Sequence, residues 1–180
     1  MSFPRYLSQK IDYVSALTGK SASLVLPVLV ITILVNVSLR YVFNIGLIEL
    51  EELQWHLNAI VVVLCLGYTF QHDEHVRVDV LSHRFSPKTR AWLEIMGLLL
   101  LFFPFTALVT WHTWHIAAYS WELREGSPMP SGLPARYLIK GVMALGNSIF
   151  VLQGFSILLQ KLSFVAGNSN EQHTKSGDTI

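Results

Sequence analysis

Residues 95–121 read IMGLLLLFFPFTALVTWHTWHIAAYSW, and from Ile95 to Trp121 there is no Asp, Glu, Lys or Arg. About 20 apolar residues at 1.5 Å rise cross a hydrocarbon core of roughly 30 Å, so this run is long enough to span a bilayer with length to spare. Three other stretches are equally free of charge and of spanning length: Ser21–Leu39, Leu53–His72 and Gly141–Gln160. The whole chain has 180 residues, 52% hydrophobic and 14% charged, with a mean hydropathy of +0.44, which leaves no room for a soluble domain. The predicted fold class is an all-α membrane protein with four transmembrane helices, over about 21–43, 50–70, 90–121 and 137–161.

Working outward, the first 20 residues carry Phe3, Leu7, Ile11, Val14 and Leu17 at steps of four and three, with Arg5, Ser8, Gln9, Lys10, Asp12 and Ser15 between them. That pattern predicts an amphipathic, interfacial helix over 1–20 on the cytoplasmic side. Packing on a partner's helix is the alternative. The apolar run after Lys20 has full spanning length and no small-residue cleavage site beyond it, so it reads as a retained first helix rather than a signal peptide. Residues 165–180, mostly Gly, Ser, Thr, Asn and charges, read as a disordered cytoplasmic tail.

Charge placement predicts the topology. Arg5, Lys10, Lys20, Arg77, Arg84, Lys88, Arg90, Lys161 and Lys175 fall on one side, and Arg40, Arg124, Arg136 and Lys140 on the other. Nine against four puts both termini and the middle loop in the cytoplasm. A net charge of +1 gives no reason to expect nucleic acid.

Local signals mark the joints. Arg40 and Tyr41 close the first span, and Asn44–Gly46 turns the chain. Glu49, Glu51 and Glu52 suit the positive end of the second helix, with an ion pair to Arg40 within reach. Ser86-Pro87 reads as an N-cap and first helical position, Pro104 as a kink, and Pro128, Pro130, Gly132 and Pro134 oppose regular structure until about Ala135. Gly141, Ala144 and Ser148 form a small-residue strip on the fourth span, expected to meet a partner helix. No internal repeat is visible.

The spans contain Asn36, His56, Asn58, His112, His115, Asn147 and Gln153, but no Asp or Glu near midplane, which argues against a proton or cation relay by this chain alone. His56, His112 and His115 share one leaflet and leave open a haem ligated from two helices. Their other reading is an interfacial belt with Trp55, Trp111, Trp114 and Trp121. His72, Asp73, Glu74, His75, Asp79 and His83 resemble a metal cluster by type, yet the alternating Val76, Val78 and Val80 favour a solvated loop. With one cysteine, Cys65, no phosphate loop and no nucleophile elbow, neither an enzyme nor a bound cofactor is expected.

Glu52-Leu53-Gln54-Trp55 opens the second span, and His75-Val76-Arg77-Val78-Asp79-Val80-Leu81 is followed by Pro87 and Arg90. These motifs, with the four-span layout, resemble the small membrane subunit of tripartite ATP-independent periplasmic (TRAP) transporters, the DctQ-like type. The resemblance runs from about Ser21 to Phe164. It implies an inner-membrane helper that braces a large permease of about a dozen spans, while a periplasmic binding protein delivers an organic acid and sodium drives uptake. It further implies that Glu52 and Trp55 mark the outer end of span two, and that Arg77 and Asp79 fix the inner elbow. A stand-alone homo-oligomeric transporter is the remaining alternative.

Overall fold

A computed structural model describes residues 3–72 and 85–167. The helices are α1 (Phe3–Ser23), α2 (Val25–Val42), α3 (Ile48–Gln71), α4 (Pro87–Gly97), α5 (Phe103–Glu122) and α6 (Arg136–Val165), and a π-helical turn (Leu98–Phe102) joins α4 to α5. They make four segments long and apolar enough to cross a membrane: Arg5–Val42, Ile48–Gln71, Pro87–Glu122 and Arg136–Val165. This is an all-α membrane protein.

Each joint has a local cause. Pro27 lacks the N–H that would bond the Ser23 carbonyl, and the helix breaks there, at Leu24. The Ser86 side chain accepts from the Thr89 N–H and caps α4 ahead of Pro87. The disruption expected at Pro104 takes the form of the π-helical turn just before it, where the Phe103 N–H reaches back to the Leu98 carbonyl. Ala135, with φ +66°, ends the proline-rich loop immediately before α6.

Helix α6 is the hub. Helices α1, α3, α4 and α5 pack on it, whereas α2 leans on α3. Its buried positions are Ala144, Gly146, Gln153, Gly154, Ser156 and Leu158, small or polar in five of six cases. At Gly146 the backbones of α3 and α6 nearly touch: a Cβ there would overlap the Val63 side chain and lie 2.9 Å from its carbonyl oxygen. Farther along, Phe102 packs on Gly154, and Phe70, Phe102 and Phe150 form an aromatic cluster with centroids 4.9, 5.0 and 5.3 Å apart. Below it lie the buried Ile95, Leu98 and Leu158.

The helix expected near the N-terminus is present, but its faces are used differently. Ser8 and Ser15 are buried and Asp12 half-buried, while Tyr13, Val14 and Leu17 point outward. Asp12 accepts from Ser156 Oγ (2.7 Å), Gln153 Nε2 (2.8 Å) and Gln160 Nε2 (3.0 Å), and the Ser8 and Ser156 hydroxyls are 2.8 Å apart. Ser8 and Asp12, part of the polar face expected to meet water, are therefore docked on the chain's own α6, while Arg5, Gln9 and Lys10 stay exposed. In lipid, apolar faces gain little by pairing, and small and polar groups decide which faces meet.

The same logic revises the Gly141, Ala144, Ser148 strip. Ala144 is fully enclosed within this chain, so it cannot touch a partner, and Ser148 accepts from Trp114 Nε1 of α5 at 2.9 Å. Only Gly141 has open space around it.

Replacing Gly146 by Val should force α3 and α6 apart. Overpacking of this kind costs about 1–3 kcal/mol, to be read as a lower midpoint in detergent thermal unfolding, with Gly141→Val close to wild type.

Candidate functional site

The most elaborate polar structure lies at the end of the bundle where the 123–135 loop joins α5 to α6. Helix α5 stops in a Schellman turn: Arg124 takes φ +50°, its N–H bonds the Trp121 carbonyl, and the Glu125 N–H bonds the Ser120 carbonyl. An arginine in a left-handed conformation is strained. Its guanidinium is held over the Trp121 ring at 4.8 Å and the Tyr137 ring at 5.5 Å, tying the end of α5 to the start of α6.

Past that turn the loop closes on itself. The Ser127 N–H bonds the Leu133 carbonyl (3.2 Å), and the Met129 N–H bonds Ser127 Oγ (3.0 Å). Glu52, at 6% exposure, pins this loop to α3. One carboxylate oxygen accepts from the Ser127 hydroxyl and the other from the Leu133 N–H at 2.6 Å. A charged acceptor makes both bonds stronger than neutral ones. Gly132 is required alongside, because a Cβ there would collide with Ser127 and come within 2.8 Å of Glu52 Oε2.

Two ion pairs flank the pin. Lys140 of α6 pairs with Glu125, whose other neighbour is the Ser120 hydroxyl at 2.6 Å. The Lys140 hydrogen bond, helped by that from Ser120, holds the Glu125 carboxyl below the usual carboxylate range against the opposing effect of burial. On the far side of α3, Arg40 meets Glu51 at 2.7 Å, the pair anticipated from the sequence; with Arg40 56% exposed it contributes about 0–1 kcal/mol.

Beneath the loop is an open cleft of about 250 Å³ between α3 and α6, with Glu52, Trp55 and His56 on one wall and Arg136 and Lys140 on the other. Trp55 is 66% exposed, as an interfacial anchor would be. His56 donates from Nδ1 to the Glu52 carbonyl at 2.6 Å, whereas His112 and His115 lie exposed on α5, His115 against Trp111 at 4.6 Å. The three histidines are thus not gathered at one point. Arg77 and Asp79, like Asp73, Glu74, His75 and His83, lie outside the described residues, and among the described residues no group of three potential metal ligands occurs.

Sequence reading singled out Glu52 and Trp55 but not Ser127, Glu125 or Lys140. Nothing local marks them, since Ser127 and Leu133 lie 75 and 81 residues from Glu52 and meet it only once the loop has closed.

Two outcomes are expected. Glu52→Ala should release the loop and raise tryptic cleavage at Arg124 by about five- to tenfold, while Glu49→Ala leaves it unchanged. Because folding lowers the Glu125 pKa, its contribution is intact above the ordinary carboxylate range and is lost as pH falls through the folded-state value. Hydrogen-exchange protection of the Glu125 amide should therefore hold at neutral pH and fall only once pH drops below the ordinary carboxylate range, with Lys140→Ala moving that fall upward.

The model of the family described as tripartite ATP-independent periplasmic transporters, DctQ component, matches residues 29–164. That range takes in α3 to α5, nearly all of α2 and α6, and the Glu52-pinned loop. No curated relative and no solved structure matches the chain. The chain belongs to the DctQ family, the small permease component of TRAP transporters.

Proposed function

We propose that this chain is the scaffolding subunit of a sodium-driven importer of an organic acid. It packs against a large permease in the bacterial inner membrane, with both termini cytoplasmic and the 123–135 loop on the periplasmic side. The observation that carries the reading is the Glu52 pin: a short loop at the mouth of the bundle, held by a buried carboxylate, ion-paired to α6 and clamped by Arg124 stacking. A loop so fixed suits contact with a soluble binding protein, because little conformational freedom is lost on docking.

Three features support a helper role. Family membership assigns the chain to a transporter component rather than an enzyme. Asp12, Gln153, Ser156 and Gln160 form one hydrogen-bonded cluster that holds α1 on α6. Much of the surface of α2 and α5 is exposed and apolar, including Leu34, Val35, Phe105 and Leu108, which suits lipid and a membrane partner.

Reconstituted by itself, the chain is expected to move no organic acid under an imposed sodium gradient, while the chain with its large permease and binding protein does. Uptake by the small subunit alone would overturn the proposal. Glu52→Ala in the complete system should lower uptake at limiting binding protein and recover when binding protein is in excess.

A further inference from the structure

Helix α1 presents charge of a single sign. Of its charged residues Arg5, Lys10, Asp12 and Lys20, the three cations are exposed, and the only acid, Asp12, is turned toward α6 and engaged by Gln153, Ser156 and Gln160. The helix crosses α3 over its last turns, at Cys65, Gly67 and Tyr68, and α6 along its second half, from Ile149 to Gln160. It therefore lies at the end of the bundle away from the loop, and its outward Tyr6, Tyr13, Val14 and Leu17 are the residues of a helix seated at a lipid boundary.

Where α1 parts from α6 it leaves a crevice of about 150 Å³, walled by Ile11 and Val14 on one side and Ile149 and Leu152 on the other. Lys10 stands at its rim, its ammonium 5.5 Å from the centre of the Tyr6 ring. The crevice is apolar and open along one side, so a segment of one acyl chain can lie along it with the rest of the lipid outside, and Lys10 at the rim then meets the phosphate.

We propose that this crevice seats one anionic phospholipid, its acyl chain between Val14 and Leu152 and its headgroup on Lys10. Charge decides the lipid class: a cation at the rim with no acid facing outward from α1 favours an anionic headgroup over a zwitterionic one. The placement in the cytoplasmic leaflet rests on the topology proposed above; the binding itself does not. Withdrawal of Asp12 into the seam then has two effects, docking α1 and removing the one charge that would repel the headgroup.

The test uses the full-length chain, delipidated in mild detergent and titrated with phosphatidylglycerol or phosphatidylcholine, with bound lipid counted by native mass spectrometry. Wild type is expected to retain one phosphatidylglycerol about fivefold more strongly than phosphatidylcholine. Lys10→Gln should abolish that preference and Lys20→Gln should not, while Leu152→Trp should fill the crevice and weaken retention of both lipids. Equal retention of the two lipids by wild type overturns the proposal, as does a Lys20→Gln effect as large as that of Lys10→Gln. Retention unchanged by Leu152→Trp also overturns it.

Discussion

The bundle depends on one stripe of α6, running through Ala144, Gly146, Gln153, Gly154, Ser156 and Leu158. A helix in lipid satisfies its own backbone, and hydrocarbon tails are as apolar as leucine, so burial of apolar surface gives helices no reason to associate. Close backbone approach and directed polar contacts supply that reason. Gly146 admits the Val63 backbone, Gly154 admits the Phe102 ring, and Gln153 with Ser156 holds Asp12 of α1. Bulky residues on the stripe would spread α1, α3 and α5 from their common support. The outward surface is correspondingly apolar, as Leu24, Ile31, Leu101 and Phe105 show.

The opposite strategy operates at the loop end. There the chain leaves the hydrocarbon, and charge replaces close packing as the organising force. Glu52, Glu125, Lys140, Arg124 and Arg40 each bind a group on a different element, so that α2, α3, α5, α6 and the loop are tied at one level. At the far end Lys161 of α6 pairs with Glu94 of α4, which ties those two helices together. A member of the DctQ family built in this way has two stiff ends and a lipid-facing middle. At the loop end, rearrangement would strip the buried Glu52 carboxylate of its donors.

What was legible in the sequence follows from range. The presence of four spanning helices, the Ser86 cap, the end of the loop at Ala135 and the Arg40 pair depend on neighbours along a helix or on adjacent helix ends, and each was readable. Pro27 is equally local, but the apolar run continues through it and hides the break at Leu24. The docking of α1 on α6 was not readable from periodicity, which places the apolar face toward lipid but does not show that Ser8 and Asp12 have partners on α6. A second signal was present: Ser8, Ser15, Gly19 and Ala22 form a small-residue stripe beside the apolar one, and all four are buried. The partners of Glu52 were the least accessible, lying 75 and 81 residues away in a loop whose closure depends on the fold. Within the strip Gly141, Ala144, Ser148, Ala144 is enclosed by this chain's own helices and Ser148 accepts from Trp114.

The central claim is that this chain works only as part of a larger membrane assembly. Its most direct test is to tag the chain, express it together with its neighbouring genes, extract it in mild detergent and measure what accompanies it and in what ratio. A large membrane protein of about a dozen spans, recovered at one copy per chain, is the expected result. A chain recovered alone, or only with further copies of itself, would contradict the account.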